Sequence, residues 1–145
     1  GLNPPDRNGS RFFASVSGLR AIQGMTPKLY SALQPHLCAL PFKTTVNVNA
    51  ATDEVLRSLD TVVDLNKLAA FEKSRINAPV SDAQKLKHDG IFGPDFDVTL
   101  AGVSSNYFQL RSEVFIGSSR VTLYSLIQRP NSGAPVVLSH STDDN

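Results

Sequence analysis

The side chains in this sequence best suited to covalent or acid–base chemistry are three histidines, a single cysteine and a few paired carboxylates. A nucleophile needs a base within hydrogen-bonding reach and a third group to orient that base, so spacing matters more than number. His36, His88 and His140 fall in three separate stretches, with no carboxylate or serine at a recognisable spacing. Asp53-Glu54 reads as the first turn of a helix, where negative charge complements the N-terminal dipole, and Asp143-Asp144 belongs to a polar tail. In the loop Gly93-Pro94-Asp95-Phe96-Asp97, Asp95 and Asp97 begin the kind of turn calcium uses. Calcium takes roughly six to eight oxygens, however, and two carboxylates supply only a start, so a solvated loop is the reading. No Cys/His spacing suits zinc and no glycine-rich loop suits a phosphate. Cys38 has no partner for an internal disulfide and stands in the apolar run His36-Leu37-Cys38-Ala39-Leu40, which points to a small core residue rather than a reactive thiol. The expectation is a chain with no catalytic residue and no metal ligand set.

The elements that carry these residues must come from one domain or from two small subdomains, which is what 145 residues allow. A hydrophobic fraction of 41% and a charged fraction of 19% are those of an ordinary globule. The formal net charge of +1 leaves no electrostatic footprint for nucleic acid or an anionic membrane. No apolar run approaches the roughly 18 to 20 residues of a membrane helix, and the opening residues lack the charged and apolar regions of a signal peptide. The first residue is Gly1, not methionine, which suggests an excised piece whose targeting segments lie elsewhere.

Residues 1–14 read as an extended lead-in, with Phe12 and Phe13 docking onto the helices after it. Ser15 or Ser17 can cap a short helix through Leu19 and Ile22, closed by a left-handed Gly24. Thr26 as N-cap and Pro27 as first helical residue announce the next helix, with Leu29, Tyr30, Leu33, Leu37 and Leu40 at three- and four-residue spacing. Pro35 should break it near Gln34, and Pro41 stop it. The most informative stretch is 45–59, where Val46 and Val48 alternate with Asn47 and Asn49 and then Thr52 stands at an N-cap ahead of Asp53 and Glu54. Val55, Leu56 and Leu59 form the buried side of that third helix. A fourth begins near Asp64, and its apolar residues Leu65, Leu68, Ala69, Phe71 and Ile76 spread widely enough to suggest burial among neighbours. Pro79 ends it; Ser81 caps a last short helix over Ala83 and Leu86, closed by Gly90.

From Phe96 the period changes to two, first in Phe96, Val98 and Leu100, then through a full strand from Tyr107 to Ile116. Phe108, Leu110, Val114 and Ile116 take one face, and Tyr107, Gln109, Arg111 and Glu113 the other. A tight loop at Gly117-Ser118-Ser119 leads to a return strand that sorts Val121, Leu123 and Ile127 to one face, and a Pro-Gly turn leads to a third strand from Val136. The sheet is an antiparallel meander whose apolar face needs a cover, either the helical half or an element outside the chain.

Two helix pairs, around Gly24 and around the 60–64 connection, have the order of helix-hairpin-helix DNA-binding modules. The second lacks glycines and puts Asp60 and Asp64 where a phosphate would approach, which is repulsive, so structural use of the hairpin is favoured over DNA binding.

The run Phe12-Phe13-Ala14-Ser15-Val16-Ser17-Gly18-Leu19-Arg20-Ala21-Ile22-Gln23-Gly24-Met25-Thr26-Pro27-Lys28-Leu29-Tyr30, then 45–59, then Ser105-Asn106-Tyr107-Phe108 with Leu123-Tyr124-Ser125-Leu126-Ile127-Gln128-Arg129, resembles the minor pseudopilin K family of bacterial type II secretion (general secretion pathway protein K). The resemblance runs in register over most of the chain and implies an α+β fold. A helical subdomain of helix-hairpin-helix (SAM-like) character over 15–92 precedes an antiparallel three-stranded sheet within 93–145, the whole being the carboxy-terminal portion of a pilin-like fold with an inserted helical domain. It further implies a noncatalytic protein that joins minor pseudopilins I and J at the pseudopilus tip in the periplasm, anchored in the inner membrane only through an N-terminal helix missing from this chain. That helix is expected to cover the sheet face carrying Phe108, Leu110, Val114, Val121, Leu123 and Ile127. Tyr107, Phe115 and Tyr124, aromatic on the other face, are candidates for partner contact, cross-strand packing being the alternative. The family resemblance also implies that the intact protein can bind calcium, although no acidic ligand set matches a motif here, the Asp95 and Asp97 pair included.

Overall fold

The computed structural model describes residues 15–142; the extended lead-in with Phe12 and Phe13, and the acidic pair Asp143 and Asp144, lie outside the described residues. The chain forms two compact units, one reaching Lys43 and the other running from Thr44 to Asp144.

In the first unit, the sequence 15–22 folds as a 3-10 turn, Val16–Ala21, rather than an α-helix. Gly24 does not cap it directly. It sits at φ +89° in a separate turn closed by the Met25 N–H donating to the Ile22 carbonyl at 3.0 Å, the left-handed position that favours glycine. Thr26 then caps helix α1, Pro27–Leu33, its Oγ1 accepting from the Leu29 N–H at 3.2 Å. The break expected near Gln34 occurs as a 3-10 turn, Gln34–His36, because Pro35 has no N–H to continue the ladder. Leu37 is already extended, so the apolar spacing through Leu37 and Leu40 is not helical, and Pro35 rather than Pro41 sets the end. With the helix ended, Cys38 falls in irregular chain and is exposed, not core. Partial desolvation still pushes its thiol above the ordinary cysteine value, so exposure does not make it a thiolate at neutral pH.

The second unit begins with the pattern 45–49. Its strand β1, Val46–Asn47, pairs in parallel with β2, Ala101–Gly102, so the intervening helices form the crossover that parallel strands require. These are α2, Asp53–Arg57, α3, Leu65–Arg75, and α4, Gln84–His88. Thr52 occupies the N-cap of α2 without a side-chain bond, and Asp53 pairs with Arg57 one turn on. Asp64 caps α3 as its sequence suggests, its carboxylate accepting from the N–H groups of Asn66 and Lys67 at 3.0 and 3.1 Å. On α3 only Leu68 and Phe71 turn inward, while Leu65 and Ile76 are more than half exposed; the wide apolar spread is one buried stripe plus exposed ends. Asp82, not Ser81, serves the start of α4, accepting from the Gln84 N–H at 2.9 Å. Gly90 ends α4 with φ +66°.

The alternation at Phe96, Val98 and Leu100 does not make a strand. Asp97 accepts from both the N–H and the hydroxyl of Thr99, at 3.0 and 2.6 Å, and this local turn folds Val98–Leu100 into 3-10 form. Phe96 instead enters the core and stacks on Phe92 with centroids 4.3 Å apart. The core therefore runs from Val48 through Leu56, Leu68, Phe71, Leu86 and Phe92 to Phe96 and Ala101, and the boundary expected at residues 92 and 93 lies within it.

Hydrogen bonds from polar side chains tie this core to its loops. The Asn49 side chain pairs with the Val80 backbone in both directions, Nδ2 to the carbonyl at 2.9 Å and Oδ1 from the N–H at 3.0 Å. Arg75, with its side chain 12% exposed, donates to the carbonyls of Val48 and Ala51 at 2.5 and 2.7 Å. Gly102 packs so near Thr45 that a Cβ there would run into the threonine hydroxyl.

Replacing Arg75 by Met should remove two charge-assisted bonds to backbone carbonyls and destabilise the chain by about 2 kcal/mol. Arg75→Lys should recover less than half of this, because one ammonium does not reproduce the two-armed geometry. Urea denaturation midpoints of the three proteins check both statements.

Candidate assembly surface

Beyond Val103 the chain makes a separate three-stranded sheet, β3, Tyr107–Ile116, β4, Ser119–Gln128, and β5, Val136–Ser141, in the order β3-β4-β5. Residues Gly117 and Ser118 connect β3 to β4, with Gly117 at φ +61° as a two-residue hairpin requires. Strict antiparallel register then decides which side chains share a face, since neighbours along a strand alternate.

Phe108 lies opposite Ile127, Leu110 opposite Ser125, Ser112 opposite Leu123 and Val114 opposite Val121. Phe108, Leu110, Val114, Val121, Leu123 and Ile127 therefore share one face. Strand β5 extends it with His140 opposite Ser125 and Val137 opposite Ile127. A bulge beside Leu126 and Ile127 passes over Leu138 and breaks the simple alternation of β5. This face is open: Phe108 is 43% exposed, Leu110 49% and Val121 50%.

On the other face Arg111 lies opposite Tyr124, Tyr107 opposite Gln128 and Phe115 opposite Arg120. Tyr107 is tied down, its hydroxyl accepting from Gln128 Nε2 at 3.4 Å, and Glu113 pairs with both Arg111 and Arg120. Phe115 is the most available of the three aromatic candidates, 68% exposed, whereas Tyr107 and Tyr124 are half-buried.

Two features of the sheet escape periodicity. Ser125 is buried in the middle of the apolar face, and its hydroxyl is 2.9 Å from His140 Nδ1. The pair satisfies a polar group among aliphatic side chains. Its sequence signal is Ser125 occupying an inward parity between Leu123 and Ile127. Arg129 donates to the Ser105 carbonyl at 2.9 Å and lies 5.2 Å from the centre of the Phe108 ring, fastening the end of β4 to the entrance of β3.

The remaining chemistry-bearing residues are dispersed. His36 closes the 3-10 turn after α1, and His88 ends α4. Among the described residues no three His, Cys, Asp or Glu side chains gather to hold an ion, and Asp97 turns its carboxylate to Thr99. The two carboxylates that stand against DNA binding have internal work. Asp60 accepts from the N–H groups of Gly93 and Val62 at 2.9 and 3.3 Å, and Asp64 caps α3.

Comparison with known proteins shows what this chain is similar to. Residues 1–42 match the family model described as Type II secretion system (T2SS), protein K. A type II secretion system protein K from Aeromonas hydrophila is 29% identical over 150 residues, covering 95% of this chain and 44% of that protein. One from Pseudomonas aeruginosa is 30% identical over 138 residues, covering 90% of this chain and 39% of that protein. A chain in the crystal structure of the GspK-GspI-GspJ complex from the enterotoxigenic Escherichia coli type 2 secretion system superposes with a TM-score of 0.74 at 28% identity, over 92% of this chain and 49% of that one. The chain is similar to type II secretion system protein K over nearly all of its own length. It spans less than half the length of the relatives it matches. The likeness covers both helices and sheet, and none of these relatives is a DNA-binding helix-hairpin-helix protein, so that alternative reading has no support. No helix among the described residues is long and apolar enough to cross a membrane.

Because Val121 is half exposed, Val121→Thr should change stability by no more than about 0.5 kcal/mol. Leu56→Ala, at a fully buried position of the helical core, should cost about 3 kcal/mol. Thermal or urea unfolding of the two variants would show whether the helical layer, rather than the sheet, carries the stability.

Proposed function

We propose that this chain is the carboxy-terminal portion of a minor pseudopilin K, a noncatalytic component that assembles with minor pseudopilins I and J at the tip of the type II secretion pseudopilus and supports protein secretion across the outer membrane. The observation that carries this reading is the similarity, with a TM-score of 0.74 over 92% of the chain, to a chain of a complex whose three components are GspK, GspI and GspJ. In this reading the protein is periplasmic, and its inner-membrane anchor is an N-terminal helix outside the present sequence. The three-stranded sheet is part of a pilin-like domain, and the helical layer from Val48 to Ala101 is part of an inserted domain with helix-hairpin-helix (SAM-like) character.

The two sheet faces then have separate tasks. The face of Phe108, Leu110, Val114, Val121, Leu123 and Ile127 is covered by the N-terminal helix of the longer protein, which explains why half-exposed aliphatic residues gather there. The opposite face, with Phe115 most accessible beside Tyr107 and Tyr124, offers aromatic groups for partner contact.

Co-purification of the tagged chain with minor pseudopilins I and J should yield a ternary complex, while a gel-shift assay with duplex DNA at low salt should show no retarded band. DNA retardation without recovery of I and J would overturn the proposal. For the isolated chain, the open sheet face should bind a hydrophobic dye and promote self-association. A strictly monomeric species by light scattering that leaves the dye dark would count against an uncovered face.

A further inference from the structure

We infer that the outer edge of β3 is a pairing surface for the β3 of a second copy of this chain, the two strands joining antiparallel about Ser112. Strand β3 has β4 as its neighbour, and among the described residues no other strand lies along its far edge. The Arg129 N–H donates to the carbonyl of Asn106, just before Tyr107, at 2.7 Å, so the even-numbered positions turn their backbone groups toward β4. Ladder bonds alternate along an antiparallel pair, and Arg111, Glu113 and Phe115 therefore turn their N–H and C=O groups outward. Natural sheets protect such an edge with Pro, Lys, a bulge or shortness. Over its 10 residues β3 has no Pro, Gly or Lys and keeps an unbroken register, whereas β5, at the opposite edge, has 6 residues and lies beside the bulge.

The order of side chains along β3 identifies the occupant. With Ser112 opposite Ser112 of the second copy, Leu110 meets Val114, Phe108 meets Ile116 and Arg111 meets Glu113, each pair occurring twice by symmetry. The apolar pairs fall on one face and the ion pairs on the other, so the open aliphatic face continues across the join. Within one copy Arg111, Glu113 and Arg120 already form an exposed ion-paired chain, which the join extends. Other registers lose this match. A centre on Arg111 or Glu113 opposes like charges, and a centre on Leu110 or Val114 leaves both charges facing neutral residues. A slip of one residue sets outward-facing backbone groups against inward-facing ones. Charges usually blunt an edge strand; placed on either side of Ser112 with opposite sign, they make this one self-complementary.

The test uses the 145-residue chain carrying Cys38→Ser, which removes the native thiol. Sedimentation equilibrium at low salt should show a monomer–dimer equilibrium. Arg111→Glu and Glu113→Arg, each alone, set like charges across the join and should weaken dimerisation by on the order of tenfold. Mixing the two variants in equal amounts should restore it, because each copy then meets its opposite. A chain that sediments only as a monomer, association that neither variant weakens (as association through the open sheet face would be), or variants that fail to rescue each other would overturn the inference. Oxidation reads the register. Ser112→Cys should give a covalent dimer, since its Cα meets that of the second copy at about 4.5 Å, within disulfide range. Leu110→Cys, offset by four residues from its own counterpart, should not; equal crosslinking at both positions would also overturn the pairing. Co-purification with I and J is a separate measurement, so its failure tells against the proposed function and leaves the edge pairing to these assays.

Discussion

The helical layer depends on how one short irregular segment, residues 47–51, satisfies its backbone. Val48 is fully buried there, and burying it brings peptide groups away from water that must find partners. They come from far along the chain. Arg75 reaches from the last turn of α3 to the carbonyls of Val48 and Ala51, the Val48 N–H donates to the Gly102 carbonyl at 2.9 Å, and the Asn49 amide pairs with Val80. Asn47 adds a bond to Ser105 at 3.0 Å, linking the same segment to the approach of the sheet. The Val-Asn-Val-Asn pattern is thus less a strand than a hub: Val48 enters the core and the asparagines replace the ladder partners that a two-residue strand lacks.

A different economy governs the three-stranded sheet. Its long strands satisfy their backbone among themselves, so it needs few side-chain bonds to the helical layer, and its faces remain largely open. Only Ser125 is buried, and it carries its partner His140 with it. Open aliphatic and aromatic faces on an otherwise ordinary near-neutral chain suit a protein that works by assembling. The acidic residues point the same way. Asp60, Asp64, Asp82 and Asp97 each accept from backbone N–H groups, so their charges organise structure.

Much of this was legible in the residues. Thr26-Pro27 and Asp64 start helices because N-cap chemistry is local, and Pro35 stops one because a missing N–H acts wherever it stands. The hairpin at Gly117 and the faces of β3 and β4 follow from strict alternation. The failures share a cause. Leu37 and Leu40 keep helical spacing after the helix has ended, Leu65 and Ile76 look like core on α3 but are exposed, and Phe96-Val98-Leu100 alternates like a strand but folds around Asp97 and Thr99. Apolar spacing records which residues could share a side. A single side-chain bond to the backbone can cancel the element that would make them do so.

Local chemistry was therefore enough for the starts of α1 and α3, the meander and the likeness to protein K, since each depends on residues close together in the chain or on their order. Tertiary structure alone paired β1 with β2 across more than 50 residues, drew Phe96 and Ala101 into the helical core, left Cys38 exposed, and set Ser125 against His140. Those outcomes turn on which distant groups compete for the same buried space and the same backbone partners, and no window of neighbouring residues contains that competition.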